Sequence, residues 1–121
     1  MGYGNARELS DRIVQMYSQR SSRILDDIAT PDFRFWDNVD AIDKSRDVIK
    51  AEFDQYIGQF KSVYVTVLRM EELHDGFLQQ YVVSATRHDD RATRDRHVCL
   101  VVRTRDGKIS RIDEYCDSAV G

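Results

Sequence analysis

This chain has a single proline, only six glycines and two cysteines among its 121 residues. With so few breakers there is no linker-like tract, repeat or low-complexity stretch, so one domain over residues 1–121 is expected. Cys99 and Cys116 lack C-x-x-C spacing. That excludes a disulfide scaffold and argues against a structural metal site. No apolar run approaches the ~18 residues that span a bilayer. The opening MGYGNARELSD lacks the basic-then-apolar order of a secretory leader. No membrane is expected as a partner, and the default location is cytoplasmic and reducing. An excess of positive charge is missing too, since 18 Lys+Arg face 21 Asp+Glu for a net charge of −3. The basic cluster Arg87–Arg96 is interrupted by Asp89, Asp90 and Asp95. It reads as a solvated loop, so nucleic acid is not an expected partner. His74, His88 and His97 form no pair with metal-ligand spacing, so neither a catalytic metal nor a cofactor is expected.

What is present is an ordinary globular composition, 41% hydrophobic and 32% charged, in a chain long enough to bury a core. Residues 7–18 carry Leu9, Ile13, Met16 and Tyr17 on one helical stripe, with Ser10 or Asp11 as a candidate cap. A short helix is expected over 21–28, with Ile24, Leu25 and Ile28 inward and Pro31 as its stop. Residues 32–36 alternate and are aromatic, as strands are. A third helix is expected over 45–60, with Val48, Ile49, Phe53, Tyr56, Ile57 and Phe60 as its apolar stripe. The remainder is β: 62–73, then 77–88 after a turn at Asp75-Gly76, then a hairpin over 94–117. The class is α+β, with three helices on the concave side of a curled, mostly antiparallel sheet and the third helix closing a cone.

The last hairpin is the richest segment. Asp106-Gly107 between two alternating runs is a strong hairpin signal, because both turn residues need φ > 0. An unbroken register from Arg105 opposite Lys108 sets Val101 against Ile112, Cys99 against Glu114 and His97 against Cys116, all six on one face. That face mixes apolar walls with a carboxylate, an imidazole and two thiols. Val98, Leu100, Val102, Ile109 and Tyr115, with Arg111 and Asp113, are then left on the convex face. A wet apolar strip of that kind predicts a two-fold homodimer in which Arg111 pairs with Asp113 of the other copy.

The element order and the motif R-x-R-D-G-K-I-x-R-x-D-E-Y-x-D, residues 103–117, resemble the nuclear transport factor 2-like superfamily. Within it, the chain is similar to SnoaL-like and ketosteroid-isomerase-related proteins over essentially its whole length. The resemblance implies a cystatin-like cone with one pocket. It nominates Asp37, just after the first strand, as a base and Tyr17, late in the first helix, as a donor to an oxyanion. The isomerases' second donor, an aspartic acid, falls near Cys99, and a thiol is too weak a donor to replace it. Glu114 and His97 instead match the late-strand acid and histidine of SnoaL-type cyclases. Fold alone does not carry the reaction.

Each candidate also has a structural reading. Glu114 either moves protons from a dry site or only bonds to arginine or backbone at the rim. His97 either relays a proton or ties strands together, and a one-residue bulge would turn it outward. Asp37 is a base or part of an acidic loop, Asp37 to Asp43, before the third helix; that loop lacks the glycine of a calcium loop. Trp36, Phe35, Phe53 and Tyr56, with Cys99, Val101, Ile112 and Cys116, are read as substrate-contacting walls. The expected function is a small cofactor-free enzyme using general acid–base catalysis on a small, largely apolar molecule, of isomerase, cyclase, dehydratase or hydrolase type. The rival is a non-catalytic binding or assembly module, and a third reading is an accessory subunit of a larger oxygenase.

Overall fold

A two-residue turn at Asp106 (φ 54°) and Gly107 (φ 80°) opens the C-terminal hairpin as the Asp-Gly signal requires. The computed structural model describes residues 6–117, so the first five residues of the opening segment lie outside it. In chain order the elements are α1 (Ala6–Gln19), α2 (Ile24–Ile28), β1 (Ala29–Asp37), β2 (Lys44–Ser45), α3 (Arg46–Ile57), β3 (Phe60–Leu73), β4 (Gly76–Arg87), β5 (Thr93–Arg105) and β6 (Lys108–Cys116). The six strands form one sheet in the order β2-β1-β6-β5-β4-β3. Every neighbouring pair is antiparallel except β1 and β6, which run parallel. This is the expected α+β cone, three helices on a mostly antiparallel sheet. Among the described residues no helix is long and apolar enough to cross a membrane.

The apolar stripe of α1 buries Leu9, Ile13 and Met16 as its 3.6-residue period requires. Ser10 does not cap that helix. It lies inside it, buried, and its hydroxyl accepts a 2.6 Å bond from the amide of Gln79, itself fully enclosed. The loop from α1 to α2 is tied to α3 by Ser22, whose N–H and hydroxyl both donate to the Asp54 carboxylate at 2.9 and 2.8 Å. Ser45 caps α3 by accepting from the Val48 N–H. α3 ends at Ile57; Phe60 belongs to β3, and Val48 is exposed. Pro31 does not end the second helix; it lies within β1.

The main departure from the sequence expectation is a bulge in β6. Arg105 pairs with Lys108 and Thr104 with Ile109, but the register then shifts, so Arg103 pairs with Arg111 and Val102 with Ile112. Ser110 is the extra residue, and its hydroxyl donates to the Arg103 carbonyl. Beyond it, Leu100 lies opposite Glu114 and Val98 opposite Cys116. The sheet's inner face therefore carries Val98, Leu100 and Val102 together with Ile112, all buried. This corrects the expected convex apolar strip: Val98, Leu100, Val102 and Ile109 are core residues, and only Tyr115 of that set is exposed. The bulge exists because two residues three apart, Ile109 and Ile112, must both enter the core, which an uninterrupted strand cannot arrange.

Candidate functional site

Four strands and three helices contribute the walls of the cone, α2 through Leu25. β1 and β6 run side by side with Phe35 beside Ile112 and Asp37 beside Glu114, so two carboxylates sit at one level on one face. β5 adds Arg96, Val98 and Leu100, β4 adds Tyr81 and Val83, α1 adds Met16 and Tyr17, and α3 adds Phe53 and Tyr56. Together they enclose a cavity of about 180 Å³ with a mainly hydrocarbon lining.

Glu114 is a largely enclosed acid of this lining. Its side chain is only 16% exposed, and the nearest cation is the Arg96 guanidinium at 4.0 Å. Burial raises its pKa above the ordinary value; Arg96 pulls it back down, and the Asp37 carboxylate adds to the rise. Tyr17 and Tyr81 meet hydroxyl to hydroxyl at 3.0 Å. Both phenols have pKa values raised by burial, with the negative charge of Glu114 adding to it, so both stay protonated donors. Tyr17 is held edge-on against Phe53, with centroids 5.2 Å apart.

Asp37 is more heavily engaged. Its Oδ1 accepts from the backbone N–H groups of Val39 and Asp40 at 3.0 and 2.8 Å, forming the turn after β1. Its Oδ2 lies 3.8 Å from Lys44 Nζ. That buried ammonium also binds Asp40 and, at 2.8 Å, Glu52. Burial works against the charge on Lys44, but these carboxylates outweigh it and hold the pKa above the usual lysine range.

The bulge sorts the remaining expected site residues. Tyr17, Phe35, Asp37, Phe53, Tyr56, Ile112 and Glu114 line one cavity. Cys116 also faces inward, 3.0 Å from Arg96 Nη2, while its backbone N–H donates to Asn38 Oδ1 at 2.9 Å. His97, Cys99 and Val101 do not join them. With β5 moved by one residue relative to β6, they fall on the outer face, opposite Val82, Gln80 and Leu78 of β4, and His97 is exposed. Trp36 also faces outward, its ring 5.4 Å from that of Tyr115. Among the described residues, no three His, Cys, Asp or Glu side chains are grouped as metal ligands would be.

Tyr81 and Arg96 of the cavity escaped the sequence reading. Tyr81 shares its parity with Phe77, Gln79 and Val83, all buried. Arg96 shares the parity of Val98, Leu100 and Val102. Its guanidinium lies 5.5 Å from the Tyr56 ring centroid. Taking the densest apolar alternation in each strand as the inner face would have found both.

The family model for the SnoaL-like domain matches residues 11–112, stopping two residues short of Glu114. No curated protein matches the chain in sequence. Among solved structures, TsrD from Streptomyces laurentii aligns with a TM-score of 0.79 at 13% identity, covering 97% of this chain and 91% of that one. A hypothetical protein of ketosteroid isomerase-like fold from Catenulispora acidiphila, in complex with trimethylamine, aligns with a TM-score of 0.78 at 14% identity over 92% of this chain and 86% of that one. IdmH from Streptomyces antibioticus, described as a candidate polyketide cyclase, aligns with a TM-score of 0.73 at 17% identity over 89% and 91% of the two chains.

Proposed function

Because this chain belongs to the SnoaL-like domain family, we propose that its cone is the active site of a small enzyme that works with its own side chains, by general acid–base catalysis, on a small and largely apolar molecule. One observation carries the reading: the Glu114 carboxylate and the paired hydroxyls of Tyr17 and Tyr81 line the same apolar cavity. A carboxylate with a raised pKa moves a proton near neutral pH more effectively than an exposed one. Two protonated phenols in a dry site can hold the oxygen on which negative charge develops. Removal of a proton beside a carbonyl, with the enolate oxygen on the tyrosine pair, is a first step that isomerisation, dehydration and cyclisation share. The cyclase description of IdmH favours the last of these. Asp37 takes a secondary part, as its carboxylate is already used by the turn and Lys44.

The step is measurable without the natural substrate, as deuterium incorporation next to the carbonyl of 2-tetralone in D2O, followed by NMR. The protein should speed exchange well beyond buffer. Tyr17→Phe and Tyr81→Phe should each lose about 10²–10³-fold of that rate, the usual cost of one oxyanion donor. A protein that binds the ketone yet leaves its exchange at the buffer rate would rule out the enzyme reading. It would instead establish the rival, a non-catalytic binding module, which the engagement of Asp37 favours.

A second copy of the chain is the proposed partner on the outer sheet face. There Trp36, Val82, Cys99 and Val101 are half-buried, while Tyr64 and Tyr115 are 70% and 49% exposed. The expected cross-pairing of Arg111 with a second Asp113 is superseded, because Arg111 binds Asp113 and Asp43 of its own chain, each at 3.0 Å. Sedimentation should give a dimer that Tyr64→Lys/Tyr115→Lys splits; a monomeric wild-type chain at micromolar concentration removes the proposal.

A further inference from the structure

A second cavity, of about 220 Å³, adjoins the first and shares Tyr56, Val83 and Arg96 with it. Its charged lining is unlike that of the inner one. Arg94 and Arg96 are two apart on β5, and Arg87 is two residues beyond Ala85, the β4 partner of Arg94. All three therefore project from the same face of the sheet, and all three line this cavity. Two carboxylates, Asp95 and Asp117, line it as well. Asp95 is engaged on the other side of the strand, accepting from the Ser84 hydroxyl at 2.7 Å. Arg94 has an ion pair with Asp90 at 3.1 Å, and the Arg87 guanidinium rests 5.9 Å from the Phe60 ring centroid. Arg96 Nε is buried and has no hydrogen-bond partner among the described residues. A buried donor left without an acceptor is costly, and an arginine fork is shaped to bind a planar oxyanion.

From this juxtaposition we infer that the substrate is an organic anion: a ring system fills the inner cavity while an acidic group, such as a carboxylate, reaches past Tyr56 and Arg96 into the arginine-lined cavity. The inference rests on the inner cavity being the substrate site, and it names the class of molecule that site takes. It also revises the reading of Arg87 to Arg96 as solvated loop alone. Strand alternation sends the Asp95 carboxylate to Ser84 on the other face, and three guanidinium groups against Asp95 and Asp117 leave this lining with an excess of positive charge. Arg87 and Arg94 select and hold the acidic end, whereas Arg96 bridges the two cavities beside Glu114.

Two fluorescent probes separate ring from charge: 1-anilinonaphthalene-8-sulfonate, an anion, and N-phenyl-1-naphthylamine, the same rings without the sulfonate. The anion should bind more tightly, displace the neutral probe and weaken as salt rises, while the neutral probe is insensitive to salt. In Arg87→Gln/Arg94→Gln the anion's affinity should fall by about tenfold or more, because charged hydrogen bonds are lost. The neutral probe should bind as before, and an unchanged melting temperature shows that the fold is intact. Loss of both probes equally, equal affinity for the two in wild type, or an anion affinity unmoved by the double substitution would each overturn the anionic-substrate inference. Proton exchange on 2-tetralone, a neutral ketone, depends on Glu114 rather than Arg87 or Arg94. The catalytic reading therefore stands or falls separately.

Discussion

Replacing Glu114 by glutamine is expected to reduce proton exchange on the test ketone by about 10²–10⁴-fold, the usual contribution of one positioned acid–base group. The same change is expected to make the fold more heat-stable, and increasingly so as pH rises. Glu114 has a folded pKa above its ordinary value of 4.5, first because burial disfavours the ion and then because Asp37 lies beside it, with Arg96 opposing both. Between the two values the folded protein keeps a proton that the unfolded chain has lost. Stability therefore falls as pH climbs through that window and stays lower above it. Glutamine has the shape without the ionisation, so the two proteins should melt nearly together in acid and diverge in base. If Glu114 acts as a base, the wild-type exchange rate should rise with pH through the same window. A glutamine variant within about threefold of the wild-type rate would show that another group moves the proton. A melting difference independent of pH would show that the carboxylate is not held in the dry site described.

The largest effect on folding is expected from Gly76→Ala, a change that would pass as conservative in a turn. Gly76 is not a turn residue here. The turn is His74-Asp75, and Gly76 pairs with Leu73 as the first residue of β4. Nor does its backbone require positive φ. A Cβ added there would lie 1.8 Å from the Val102 carbonyl oxygen and 2.8 Å from its carbon. Both are backbone atoms of β5, so no side chain can turn away to relieve the contact. β5 would have to move, and with it Val102, Leu100 and Val98, all buried in the core. We expect a loss of about 4 kcal/mol or more, in the range reserved for gross steric or core damage. Domains of this size are usually stable by only about 5–15 kcal/mol, so that loss approaches the whole. Urea unfolding measures it directly. Asp75→Ala is the control, since its 4.0 Å pair with Arg103 is solvent-exposed and worth little. A Gly76→Ala protein as stable as that control would mean the strands pack less closely than described.

Legibility in the sequence followed the range of the forces involved. The helices were readable because their signals are local: an apolar stripe at 3.6-residue spacing in α1 and α3. The Asp106-Gly107 turn was readable because the chemistry of φ > 0 sits in the two residues themselves. The Asp75-Gly76 pair shows the limit, since the same dipeptide holds its glycine for the approach of another strand. The site was half readable. Glu114, Tyr17, Asp37 and the aromatic walls Phe35, Phe53 and Tyr56 do meet in one cavity. His97, Cys99 and Val101 were carried to the wrong face by one assumption, that the hairpin ladder is unbroken. Ile109 and Ile112, three apart and both apolar, were the local hint that it is not.

By itself, then, the sequence determined the order of elements apart from the two-residue β2, the α+β class, the hairpin turn and the presence of an acid among apolar residues near the end of β6. Only the tertiary structure decided which residues of β5 accompany that acid, how Tyr17 meets Tyr81 across 64 positions of sequence, and where Arg96 stands. The reason is physical. Alternation within a strand is imposed by its own backbone, but the phase between two strands is set by whatever buries most hydrocarbon across the whole sheet. Here burying Val98, Leu100, Val102, Ile109 and Ile112 together outweighed keeping the ladder regular.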